Sequence, residues 1–173
     1  MNEVLNCLET RRSVRKYLPK QITGAELDAV LEAGIYAPTA MGRQSPKIVV
    51  LQKPEDVAEL ERMNAAVLGN PDSHPFYGAP TVLVVLADAK AGTAVEDGSL
   101  VLGNLMNAAH ALGVGSCWIH RAREEFASDE GKALLKRWGI EGDWVGVGHC
   151  ILGYAAEPAA PAKPRKADYI VRV

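Results

Sequence analysis

The run Thr81 to Ala87, TVLVVLA, constrains this chain most. It carries no charge, is rich in β-branched residues, and is bounded by Pro80 and Asp88. A segment of this kind reads as a strand with no polar face, so both of its faces must be covered. It is also far too short to span a bilayer. The chain must therefore supply further strands beside it and helices above and below.

It does. Thr23-x-x-Glu26 is a capping box, and Leu27, Val30, Leu31, Gly34 and Ile35 follow at helical spacing until Pro38. Val4, Leu5 and Leu8 mark a shorter helix before it. Lys47–Gln52, KIVVLQ, reads as a strand. Pro54 suits a first helical turn, with Val57, Leu60, Met63 and Val67 continuing to Gly69. Residues 69–80 form a loop with three prolines. A helix begins at Asp97 or Gly98, and its residues to Leu112 are apolar nearly all round and often small, which predicts a central, closely packed helix.

Ser116–His120 and Trp144–Gly153 read as two more strands, the glycines of the second implying close backbone approach. Ser128 caps a helix that Gly139 stops, and Glu124, Glu125, Asp129 and Glu130 read as solvated charges near its start. The order predicts one layered α+β or α/β domain of about four or five strands. Tyr169–Val173 reads as a short β-like end.

Composition narrows function by exclusion. A formal net charge of −2 over 173 residues argues against general nucleic-acid binding. Three cysteines make no disulfide framework, and the opening MNEVLNCLETRR holds no apolar signal core, so a reducing, cytoplasmic location is expected, with no membrane partner. There is no G-x-G-x-x-G after a strand and no P-loop. Cys117-x-x-His120 and His149-Cys150 lie in strand-like runs whose alternation points neighbours to opposite faces, so no metal site is expected.

Two basic clusters remain. Arg11-Arg12-Ser13-Val14-Arg15 sets three guanidinium groups and a hydroxyl in five residues. If it is extended, Arg11, Ser13 and Arg15 share a face and Val14 points to the core. Lys163 and Arg165 stand in a proline-stiffened tail. The clusters are either two solvated ends or, if the tail folds back, one phosphate clamp. With a clamp and no evident catalytic acid, base or nucleophile, the chemistry would belong to a bound cofactor.

Four segments resemble the nitroreductase family of flavin-dependent oxidoreductases. Arg11-Arg12-Ser13-Val14-Arg15-Lys16-Tyr17 is similar to its R-R-S-x-R-x-[FY] signature, and Ala37-Pro38-Thr39-Ala40-Met41-Gly42-Arg43-Gln44 to A-P-[ST]-A-x-N-x-Q-P. Gly113-Val114-Gly115-Ser116-Cys117-Trp118-Ile119 is similar to G-x-G-[ST]-x-W-I, and Lys163-Pro164-Arg165 to K-x-R. Each is weak alone; four in order are specific.

The resemblance implies an α+β fold with a mostly antiparallel central sheet, in an intertwined homodimer. Residues 1–173 would be one FMN-binding domain, with 154–173 an arm exchanged with the partner. It further implies that Arg11, Arg12, Lys163 and Arg165 hold the FMN phosphate. Ser13 would bond the ribityl chain or phosphate, and Arg15 would lie by N1 and O2 of the ring. Pro38, Thr39, Ala40 and Gln44 would reach the flavin from the other subunit. Trp118 and Ile119 would back the ring, and the amides of His120 and Arg121 would face O4 and N5.

The implied activity is NAD(P)H-dependent reduction of a nitroaromatic, quinone or flavin acceptor by a ping-pong mechanism, with no catalytic side chain. Alternatives on the same fold are a reductive dehalogenase, an oxidase, or a flavin carrier or sensor without turnover. Two departures stand out: Gly42 replaces the asparagine, and Ser45-Pro46 replaces the proline-aromatic pair after Gln44. The chain also lacks the long segments that roof larger members, leaving the pocket open or roofed by 69–80.

Overall fold

The computed structural model describes residues 2–173. Its centre is one sheet of four strands in the order β1-β2-β4-β3, every neighbouring pair antiparallel. The strands are β1 (Pro46–Leu51), β2 (Thr81–Asp88), β3 (Gly115–Ile119) and β4 (Trp144–Gly153). Val82 to Ala87 of β2 are all fully buried, as a strand without a polar face requires.

Alternation divides β2 between two cores. Val82, Val84 and Leu86 meet one layer, with Leu60 and Met63 of α3 (Pro54–Leu68), Phe126 of α5 (Ala122–Ala127), and Leu134 and Leu135 of α6 (Asp129–Arg137). Leu83, Val85 and Ala87 meet the other, with Leu27 and Val30 of α2 (Gly24–Ile35), and Val101, Leu102 and Leu105 of α4 (Ala94–Ala111). Burying each such side chain stabilises the fold by roughly 1.5–3 kcal/mol. α1 (Glu3–Thr10) lies outside on α4, where the Cys7 thiol donates to the Asn107 carbonyl at 3.3 Å.

Thr23 and Glu26 complete the capping box of α2, and Ser128 caps α6. Several expectations need correction. The α4 helix starts at Ala94, because Asp97 sits in its first turn rather than before it. It is not buried all round in this chain. Leu100 and Leu112 are exposed, so α1 covers only part of its outer face. Tyr169–Val173 forms no strand, since no edge of its own sheet lies beside it, and its side chains are exposed. Residues 122–127 form a separate helix that has little apolar periodicity in sequence.

The glycines of β4 have a structural reason. Val85 pairs with Gly148 and Leu86 with Gly146, so Val147 is the extra residue of a bulge. A Cβ on Gly146 would run into the Ala122 backbone carbonyl. That close approach seats α5 against the sheet. Gly146→Ala should lower the melting temperature by roughly 3–10 °C, since backbone overpacking costs about 1–3 kcal/mol; thermal denaturation followed by circular dichroism checks this.

Candidate functional site

The arginine pentad is fastened to the outer edge of β3. Arg11 leaves α1 at φ −55, ψ 135, and the chain runs on extended. Ser13 pairs in parallel with Ser116, and the Val14 N–H donates to the Ser116 carbonyl at 2.9 Å. Val14 packs against the core, and the Tyr17 hydroxyl donates to the Val14 carbonyl at 2.9 Å. Tyr17 is itself buried, and burial pushes its hydroxyl well above the usual range. Opposite Val14, Arg15 is exposed, while Arg11 is only half-buried and reaches inward.

The same strip positions the tail. The Leu18 N–H donates to the Tyr154 carbonyl, and the Ala156 N–H to the Lys16 carbonyl, each at 2.9 Å. Lys16 Nζ meets Glu157 at 3.0 Å on the surface. The chain then lays residues 160–165 across the pentad. The result is a cleft of about 320 Å3 lined by Arg11, Arg12, Ser13, Arg15, Lys163 and Arg165, with Ala160, Pro161 and Ala162. Among the described residues, no carboxylate lines it.

Arg11 Nη1 is buried and has no hydrogen-bond partner. A buried donor on a permanent cation is costly unless an anion meets it. Arg12 is placed differently. Its Nη1 donates to the Glu9 carbonyl at 2.8 Å and the Arg11 carbonyl at 2.7 Å, covering the end of α1. The cations are felt nearby: burial first, then Arg11 and Arg12, hold His110 below its usual pKa.

The C-terminal end of β3 supplies the second set. Trp118 is half-buried, Ile119 buried and His120 exposed. Arg121 is left-handed at φ 84, and its Nε and Nη2 donate to Asn64 Oδ1 at 3.0 and 2.8 Å. Asn64 Nδ2 donates to the His120 carbonyl at 2.9 Å.

The third set lies elsewhere in the same chain. Pro38, Thr39, Ala40 and Gln44 belong to the turn between α2 and β1, the strand at the opposite edge of the sheet. Three strand spacings, about 14 Å, separate the two edges. Thr39 and Gln44 line their own apolar cleft of about 330 Å3, with Leu31, Ile35, Ile48 and Val101. A single chain thus brings together the pentad, the tail and the β3 end, and leaves 38–44 apart.

Asp97 organises that turn. It is buried, and it accepts from the Ala40 N–H at 3.0 Å, Ser45 Oγ at 2.7 Å and Thr93 Oγ1 at 3.3 Å. The Ala40 amide foremost, then the two hydroxyls, hold its carboxyl below the usual range against the opposing effect of burial. Met41, Gly42 and Gln44 all have positive φ. Gly42, at φ 65, takes a conformation that glycine and asparagine both tolerate, so this departure from the family pattern keeps the turn.

Sequence reasoning missed Asn64 and Asp97, whose roles depend on partners distant in the chain. It also misplaced Glu125, read as a solvated charge. Glu125 is buried, and His149 Nε2 donates to its Oε2 between Phe76 and Phe126. That partner lies in a strand 24 residues on. The 69–80 loop is tied down by the Phe76 N–H, which donates to Glu61 at 2.8 Å.

Residues 8–76 and 70–154 match the model of the Nitroreductase family. The chain belongs to the nitroreductase family. A provisionally named NADH dehydrogenase/NAD(P)H nitroreductase of Archaeoglobus fulgidus is 31% identical over 159 residues, covering 89% of this chain and 86% of that protein. One of the same name from Methanothermobacter thermautotrophicus is 30% identical over 124 residues, covering 67% of this chain. The match spans only 60% of that protein's length. A crystal structure of a Bacteroides fragilis nitroreductase with bound FMN superposes with a TM-score of 0.91 at 33% identity, over the whole of both chains. No helix among the described residues is long and apolar enough to cross a membrane.

Asp97→Ala should destabilise the fold by about 1–3 kcal/mol, because it leaves the Ala40 amide and Ser45 hydroxyl without their acceptor. The contribution of the Asp97 charge has a defined sign with pH. A carboxyl with a lowered folded pKa stabilises fully above the unfolded value of about 4, and loses that contribution as pH falls through the lower folded value. The stability gap between wild type and Asp97→Asn should therefore narrow below that pH, which urea denaturation across the acid range measures.

Proposed function

We propose that this chain is an FMN-dependent oxidoreductase that uses NADH or NADPH to reduce nitroaromatic, quinone or flavin acceptors by a ping-pong mechanism. One observation carries the reading: the buried, unpartnered Arg11 Nη1 in a cleft lined by cations and free of carboxylates. That donor set fits a phosphate dianion. The Bacteroides fragilis relative, alike along its whole length, holds FMN. The Archaeoglobus relative bears an NAD(P)H nitroreductase name.

The residues then divide by task. Arg11, Lys163 and Arg165 hold the phosphate, with Arg12 supporting them from the end of α1. Ser13 serves the ribityl chain. Arg15 would place a fixed positive charge at the end of the ring where negative charge builds up on reduction. Trp118 and Ile119 back the ring, while the amides at His120 and Arg121 meet its edge. FMN held there would supply the redox chemistry, with the nicotinamide as hydride donor and the acceptor as electron sink. No side chain of this protein needs to serve as nucleophile, general acid or general base.

The same reading asks for a second subunit. Pro38, Thr39, Ala40 and Gln44 lie across the sheet from the pentad, so they reach the same ligand only from another copy. The outer face of α4 and α1, with Val4, Leu5, Leu8, Leu100 and Leu112 exposed, supplies an apolar face for it. Residues 1–173 then form one FMN-binding domain whose tail, 154–173, crosses its own pentad and carries exposed Tyr169, Ile170 and Val171 on to the partner.

Arg11→Ala and Arg165→Ala should each weaken FMN binding by roughly 10- to 100-fold, the worth of one charge-assisted hydrogen bond. Fluorescence titration of apo-protein with FMN measures this, and wild-type affinity in both variants rejects the clamp. NADH and NADPH oxidation with menadione or a nitroaromatic tests turnover. A flavin-loaded protein that oxidises neither nicotinamide favours a carrier. Truncation after Gly153 should both lose FMN and weaken the dimer in sedimentation; an unchanged dimer removes the arm from the interface.

A further inference from the structure

Asn64 is a fully buried polar side chain on α3, far in sequence from every residue assigned above. It makes three hydrogen bonds, all to two consecutive residues. Nδ2 donates to the His120 carbonyl, and Oδ1 accepts from Arg121 Nε and Nη2. Arg121 is the residue held left-handed, at φ 84 and ψ 0, which a side chain with a Cβ disfavours. A backbone held against its own preference persists where neighbours over-determine it. Asn64 does so from both sides, gripping the carbonyl that precedes Arg121 and the guanidinium that follows.

The peptide geometry gives the grip a direction. No described peptide bond is cis. In a planar trans peptide, the carbonyl of one residue and the N–H of the next point to opposite sides. Asn64 draws the His120 carbonyl towards α3. The Arg121 N–H must therefore point away from α3, out of the core.

We propose that Asn64 is a positioning residue for the redox site: it fixes the His120–Arg121 peptide so that the Arg121 N–H is presented to the flavin edge. The inference rests on the FMN reading above. Asn64 never touches the ligand and acts through the peptide alone. The two halves of its amide have separate jobs. Nδ2 sets the peptide plane, and Oδ1 keeps the guanidinium folded back, out of the space in front of that plane. Only an uncharged amide does both, because a carboxylate at this position accepts from Arg121 but cannot donate to the carbonyl.

Asn64→Asp separates the two jobs and is nearly isosteric, so it also serves should Asn64→Ala fail to fold. Both variants are prepared as holoprotein. FMN affinity is measured by fluorescence titration of the apo-protein, ring environment by visible circular dichroism of the bound flavin, and flavin reduction by NADH in anaerobic stopped flow. Both variants should bind FMN close to wild-type affinity, because the phosphate cleft is untouched. Both should alter the visible dichroism and slow reduction by about 10- to 100-fold, the scale of a misplacement near 1 Å.

A lower melting temperature with wild-type dichroism and wild-type reduction rate overturns the proposal and makes Asn64 a core fastener. Wild-type behaviour of Asn64→Asp alone also overturns it, since the carbonyl grip is then dispensable. A wild-type chain that binds no FMN fails differently: it removes the reading of the site, and this inference falls with it.

Discussion

The sheet is sealed on both faces, and everything else follows from that. β2 and β4 are lined by apolar side chains above and below, with α2 and α4 on one side and α3, α5 and α6 on the other. A charged ligand cannot approach either face without displacing a core. Recognition is thereby forced to the two edges of the sheet and to the turns that leave it. The edge at β3 is covered by the pentad through a single parallel bridge at Ser13 and Ser116. The edge at β1 is preceded by the turn that Asp97 holds.

In the proposed reading, this division makes one chain only part of a site. At the β3 edge, one chain folds its own tail over the pentad to form the cation-lined cleft. At the β1 edge, residues 38–44 form a rigid turn with positive φ at three positions and an apolar cleft beside it. Leu100 and Leu112 leave part of the outer face of α4 exposed, and in the proposed reading a second copy seated there would join the two half-sites.

Much of this was legible in the chain because it is local. The strand TVLVVLA announces a two-faced core, Thr23 and Glu26 announce a helix start, and alternation within the pentad points Val14 inward. What escaped is long-range. Asn64 looks like any helix residue until His120 and Arg121 come beside it from 56 and 57 positions away. Glu125 looks like a surface charge until His149 meets it in the core. The α5 helix is too short to show a period. Tyr169–Val173 has strand composition but no strand beside it in its own chain, so it forms none there. Gly42, a departure from the family pattern by letter, has a φ of 65 that asparagine also tolerates.

The central claim is that the cation-lined cleft at the β3 edge holds FMN in a state that a nicotinamide can reduce. The visible absorption spectrum of the purified protein, recorded anaerobically before and after NADH or NADPH, tests it most directly. A protein-bound flavin spectrum that bleaches on addition of one nicotinamide, and returns when a quinone is added, is the result the account predicts. A colourless protein that takes up no FMN when the cofactor is supplied would contradict it.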